Sequence, residues 1–291
     1  MRVMQLRTLA IVKDLTNLKD LNTMEHQSIL KTVCSLFVAL LCLPVTLIAD
    51  TQHLLPKPQV VIETDSGSFE MGRVVSIVYG DDVEQCPLLE EFFTTNGCSL
   101  GEGGAMVSVT MVDAIDGAYD YELYGYDNEA YALQVSQDEI VITAVTNLGV
   151  IRAAQTLVQL LEGATAVESV GIIDWPAFKL RGYMHDVGRS FIPTDELVKQ
   201  VELFSRFKVN TFHWHLTENQ AWRFEVKAFP QLTESKNMSR FPGEYYTQED
   251  CKRVMAAAKK HGVVVIPEID MPGHSEAFKK AMGFDMQSDK G

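Results

Sequence analysis

The chain has 291 residues, about two ordinary domains at roughly 150 residues each. Its 46% hydrophobic and 22% charged content is that of a folded globular protein, not of a disordered or fibrous one. The formal charge is -14. Residues 1–49 hold five Lys/Arg and three Asp/Glu, which leaves 20 against 36 for the rest. A body that acidic repels phosphate backbones and anionic lipid, so nucleic acid is excluded as a partner while a neutral substrate stays open.

Region 1–49 reads as an export segment. Thr32–Ala49 carries no charge, follows Lys31 and ends at Asp50, the order of a secretory signal. Leu47 and Pro44 depart from the ideal pattern, and Met24 is an alternative start. A membrane anchor through residues 32–49, or a lipid on Cys42, would serve the same end. The expected location is therefore periplasmic, secreted or membrane-anchored. Cys86, Cys98 and Cys251 fall outside this region and follow no metal spacing; Cys86 and Cys98 read as free thiols flanking a short helix, or as a pair. Asn237-Met-Ser matches the glycosylation sequon of a eukaryotic protein.

Residues 50–176 read as a small α+β domain. Val74–Tyr79 and Val107–Met111 are β-rich runs, and Pro87–Thr95 between them has helical spacing and stops at Asn96-Gly97. Tyr131–Val135 and Ile140–Ala144 form a hairpin around Ser136–Asp138. Asn147–Leu161 repeats apolar residues at the spacing of an amphipathic helix.

From residue 177 to 291 the pattern alternates regularly. Leu180–Val187 is a strand, Thr194–Phe207 a helix capped by Thr194, and Asn210–Leu216 a strand. Thr247–His261 is a helix capped by Thr247, and Val263–Ile269 a strand. This is the order of a parallel sheet with crossover helices, whose chemistry gathers at the C-terminal strand ends. The polar residues sit there: Asp186 and Arg189, then Glu218 and Asn219, then Glu268, Asp270 and His274.

Three constellations carry chemistry. On a strand His213 and His215 share a face, as metal ligands or as packed, hydrogen-bonded imidazoles. Ile266-Pro-Glu-Ile-Asp-Met-Pro-Gly-His leads a buried strand into two carboxylates and a turn that can aim His274 over the strand ends. Arg181, early in Leu180–Val187, needs an acceptor for its fork of donors: sugar hydroxyls, a carboxylate ligand, or an internal carboxylate such as Asp186 or Glu268.

Together, Arg181-Gly-Tyr-Met-His-Asp-Val-Gly-Arg-Ser-Phe, Phe212-His-Trp-His-Leu-Thr-Glu-Asn-Gln and the segment ending in Pro-Gly-His274 resemble glycoside hydrolase family 20, the β-N-acetylhexosaminidases. The resemblance runs from about Leu54 to His274. It implies an α/β architecture in which a small α+β domain precedes a (β/α)8 TIM barrel. It also implies removal of terminal non-reducing β-linked GlcNAc or GalNAc from glycans, with retention. The implied mechanism is substrate-assisted: the 2-acetamido oxygen attacks, an Asp orients it, and an adjacent Glu protonates the leaving oxygen. No metal or organic cofactor is implied. Carried over by motif, Glu218 and His274 support the acid, Arg181 binds the sugar's 3- and 4-hydroxyls, and Asp270 braces the loop.

Glu218 stands where the family often has Asp, and Ala221 where it often has Gly. The family's Asp-Glu pair follows the fourth barrel strand, and only three strand–helix units are read here. Asp195-Glu196 opens a helix and Asp138-Glu139 lies in a hairpin turn, so neither qualifies. The 291-residue chain is therefore expected to be a fragment that is inactive by itself. Two other readings stay open: a metal-dependent barrel hydrolase using His213 and His215, and a non-catalytic glycan-binding protein using Arg181.

Overall fold

The structure, a computed structural model, describes residues 48–49, 51–117, 127–164 and 166–284. The run Thr32–Ala49, read as an export segment, lies outside them apart from Ile48 and Ala49. Among the described residues no helix is long and apolar enough to cross a membrane.

The first part is a mixed sheet with two helices. Its strands are β1 (Ile48–Ala49), β2 (Val60–Glu70), β3 (Val74–Tyr79), β4 (Ser99–Leu100), β5 (Ala105–Met111), β6 (Tyr131–Val135), β7 (Glu139–Ala144) and β8 (Ala166–Asp174). The order is β1-β8-β6-β7-β5-β3-β4, with β2 antiparallel to β8. Helix α1 (Pro87–Thr95) buries Leu89 and Phe93, and α2 (Asn147–Leu161) buries Val150, Ala153, Ala154, Leu157, Leu160 and Leu161, in one core with Val107, Leu133 and Ile142. Thr146 starts α2 by accepting from the N–H groups of Leu148 and Gly149. Cys86 and Cys98 are buried free thiols at either end of α1.

The second part is a three-stranded parallel sheet, β9 (Gly182–Asp186), β10 (Thr211–His215) and β11 (Val264–Glu268), with β10 central. Helices α3 (Thr194–Arg206) and α4 (Gln248–Lys260) follow β9 and β10, and the short α5 (Glu276–Met282) follows β11. Leu197, Val201, Val254 and Ala258 of α3 and α4 pack with Phe212, Trp214 and Leu216. Thr247 caps α4 in a capping box with Asp250. Thr194 is not the cap expected for α3: Pro193 holds that position and Thr194 begins the helix. The Asn237 sequon is not presented either, since Asn237 is buried and its amide donates to the Gln231 carbonyl at 2.8 Å.

Candidate active site

The parallel register sets Asp186, His215 and Glu268 side by side at the C-terminal ends of β9, β10 and β11. One level down are Met184, His213 and Ile266. Phe212 and Trp214 face the helices, so by alternation His213 and His215 share the other face with Asp186 and Glu268. Glu268 takes both imidazoles on one oxygen: His215 Nδ1 lies 2.6 Å from Oε2 and His213 Nε2 lies 2.7 Å away. Burial alone would push the Glu268 carboxyl up, but His215 and then His213 outweigh it and hold the carboxyl below its usual range.

Glu218 lies in a tight turn just beyond β10, closed by its own N–H donating to the Ala221 carbonyl at 2.9 Å. Its side chain has 0% exposure. The Arg189 guanidinium touches Oε1, His274 Nδ1 approaches it to 2.6 Å, and His215 Nε2 stands at 3.9 Å. Oε2 accepts from the Asn219 N–H at 2.6 Å. Arg189 also pairs with Asp186, and its side chain stays 48% exposed. His274 has φ +49°, a left-handed conformation that costs a Cβ-bearing residue about 1 kcal/mol or more. That strain sits where the turn after β11 delivers the imidazole to Glu218.

The sequence-derived residues separate cleanly. Glu218 and His274 come together. Asp270 braces the turn through its backbone, whose N–H donates to Thr217 Oγ1 at 2.9 Å, while its carboxylate stands 3.9 Å from His274 Nε2. Arg181 does not belong to this group, and its expected sugar-binding role here is corrected. It precedes β9, roughly 16 Å along the strand from Asp186 at ~3.3 Å per residue. There Nε donates to the Lys208 carbonyl, Nη1 to the Phe178 carbonyl and Nη2 to Glu129, not to Asp186 or Glu268. Arg189 is the guanidinium at the strand ends, where polar side chains are expected to collect.

Arg223 had no mark in the sequence. Fully buried without a carboxylate partner, it donates to five backbone carbonyls: Val187, Gly188, Arg240, Phe241 and Glu244. It thereby ties the turn carrying Arg189 to the long connection between β10 and α4. Burial draws its pKa down to about 10.

Asp186, His215 and Glu218 offer ligand atoms within 4.8 Å of one another. Arg189, however, touches both Asp186 and Glu218, so a divalent cation at that point would meet a fixed positive charge. His213 and His215 both turn to Glu268, not to a shared vacant point between them.

Two family models match, glycosyl hydrolase family 20 domain 2 over residues 51–175 and the family 20 catalytic domain over residues 178–289. The chain belongs to glycosyl hydrolase family 20. The β-hexosaminidase of Vibrio furnissii is 38% identical over 173 residues, covering 54% of this chain and 28% of that protein. Beta-hexosaminidase 1 of Coccidioides posadasii is 41% identical over 158 residues, 52% of this chain and 26% of that one. Among solved structures, the family 20 exo-β-N-acetylglucosaminidase of Vibrio harveyi in complex with N-acetylglucosamine superposes with a TM-score of 0.66 at 32% identity, over 83% of this chain and 39% of that one. The chain thus spans under a third of these curated relatives. Its three-stranded sheet is part of the family 20 barrel.

Proposed function

We propose that these residues belong to an exo-acting β-N-acetylhexosaminidase, which removes terminal non-reducing GlcNAc or GalNAc from glycans with retention, assisted by the substrate's acetamido group. The observation that carries this reading is Glu218, a fully shielded carboxylate between Arg189 and His274 at the C-terminal ends of three parallel strands. A buried carboxylate there keeps the His274 imidazole oriented, which suits a group that steadies a neighbouring acid. Arg189 keeps half its side chain exposed after pairing, so its remaining donors can hold vicinal sugar hydroxyls. The names of the relatives and the N-acetylglucosamine complex of the Vibrio harveyi enzyme support the substrate class.

On this reading Glu218 and His274 are supporting groups, while the acid and the acetamido-orienting carboxylate come from elsewhere in the barrel. Among the described residues Asp195-Glu196 opens α3 and Asp138-Glu139 sits at the β6–β7 turn, both away from the site. We also read residues 32–49 as an export segment, supported by their uncharged apolar run.

The test is turnover of para-nitrophenyl N-acetyl-β-glucosaminide and its galacto isomer by the protein as its gene encodes it, with the anomer followed by proton NMR. Release of the β-anomer is expected. Inversion, or no cleavage of either substrate, would overturn the reading. The 291-residue chain alone is expected to give background rates.

A further inference from the structure

At the other end of β9–β11 from Glu218 the described residues line a cavity of about 260 Å³. Its charged lining comes from both parts of the chain: Lys57, Arg152, Glu129 and Asp174 from the α+β part, and Arg181 and Lys208 from the connections that lead into β9 and β10. Lys208 pairs with Asp174 at 2.5 Å and donates to the Tyr131 hydroxyl at 2.9 Å. Glu129 serves Arg152 at 2.5 Å and Arg181 as well. Two carboxylates therefore face three cations, of which Arg152 and Lys208 are buried and Arg181 is 17% exposed in its side chain. Lys57 adds a fourth at the rim.

A surplus of positive charge among largely buried groups is costly unless an anion offsets it. The Arg152 and Arg181 guanidiniums cannot relieve it by losing a proton, and the contact with Asp174 opposes the downward pull of burial on Lys208. The chain as a whole is strongly acidic, so general surface charge does not account for the surplus. Donors are also left over. Of the five N–H groups on Arg181, Nε and one on each Nη are engaged, which leaves one on each terminal nitrogen. Lys208 has used two of its three. Trp175 and Phe178 supply apolar walls to the same cavity.

We propose that this cavity is a binding site for a small oxyanion (phosphate, sulfate or the carboxylate of a small organic acid) held by Arg181 and Lys208. Such a ligand completes the charge balance and joins the α+β part to the base of the parallel sheet, because both contribute walls. The proposal is independent of the hexosaminidase reading and gives Arg181 a ligand at the end of the strand where it lies.

The test is titration calorimetry and thermal unfolding of the full chain with phosphate, sulfate and acetate, at ionic strength held constant with sodium chloride. Saturable one-to-one heat is expected, with an unfolding midpoint that rises and then levels as the ligand saturates. Response to acetate alone assigns a carboxylate ligand; response to phosphate and sulfate assigns an inorganic oxyanion. Arg181→Gln is expected to weaken binding by about tenfold or more, the scale of a lost charge-assisted bond. Should Arg181→Gln not fold, Lys57→Gln leaves the buried pairs untouched and is expected to weaken binding about two- to fivefold through the lost rim charge. No saturable heat with any of the three anions, or equal affinity in wild type and Lys57→Gln alongside a folded Arg181→Gln of unchanged affinity, would sink the proposal.

Discussion

Gly188 and Glu218 are packed so closely that a Cβ on Gly188 would lie 2.5 Å from the Glu218 Cβ and 3.2 Å from its backbone nitrogen. The turn bearing Arg189 and the turn bearing Glu218 can meet only because one of them lacks a side chain at that point. The obstructed atoms belong to the base of Glu218, not to a flexible tip, so Gly188→Ala must move the turn itself. Overpacking of this kind costs about 1–3 kcal/mol. A displaced Glu218 separates Arg189 from His274, and activity is expected to fall about tenfold to a hundredfold. Urea unfolding and turnover of the full enzyme measure the two effects. Wild-type turnover in Gly188→Ala would show that the contact does not position Glu218.

Glu218→Gln keeps the size of the side chain and removes the charge that Arg189 and His274 share. Loss of a buried charge-assisted contact is worth about 1.5–3 kcal/mol, so kcat/KM is expected to drop about 10- to 150-fold. Glu218→Asp keeps the charge on a shorter arm and is expected to fall between wild type and Gln. A larger loss in Glu218→Asp than in Glu218→Gln would mean that reach, not charge, sets the contribution.

Much of this architecture was legible from local pattern, and the failures have physical causes. Helices α1 and α2 and strands β3 and β6 begin and end where apolar spacing and turn residues place them. Strands β2 and β8 carry no comparable signal: β2 contains Asp65-Ser66-Gly67, and its register on β8 shifts between Glu63 and Ser68. In the site, Glu218 and His274 were found because carboxylates and imidazoles at strand ends are conspicuous. The motif alone groups Arg181 with them, because a motif does not say which end of a strand faces the substrate. Its place early in Leu180–Val187, at the N-terminal end of the strand, points away from the strand ends where chemistry gathers, and Arg189 satisfies that rule. Arg223 left no trace because its partners are carbonyls, which every residue has.

Arg223 therefore makes a sharp test of positioning from a distance. Arg223→Met keeps much of the aliphatic bulk but strands five carbonyls, of which those of the buried Val187 and Gly188 each cost about 1–3 kcal/mol if no water replaces the donor. A net loss of about 3 kcal/mol is expected by urea unfolding, together with a raised KM as the Arg189 turn loosens. Arg223→Lys is expected to recover little, since one ammonium cannot span the fork. An unaltered KM in a folded Arg223→Met would show that the Arg189 turn holds itself.

His261 supplies a pH dependence separate from catalysis. It caps α4 with 7% exposure, its Nδ1 is 3.0 Å from Ser205 Oγ, and its carbonyl accepts from Arg152 and Gln155 of α2. Burial first, then the Lys260 charge, draws its pKa down from 6.5 to about 4, with Glu91 opposing. Below pH 6.5 the unfolded chain takes up a proton that the folded chain refuses. Stability from this group is thus complete above about pH 6.5, declines as pH falls, and has been lost by about pH 4, a total on the order of 3 kcal/mol. Glu268, with its carboxyl held low, acts in a lower window: its contribution is present above the ordinary carboxylate range and disappears as pH falls through its folded value. His261→Gln should therefore flatten the stability profile between pH 6.5 and 4 while leaving the more acidic limb in place. Urea midpoints at half-unit intervals of pH decide the matter, and an unchanged slope in His261→Gln would assign that window to other groups.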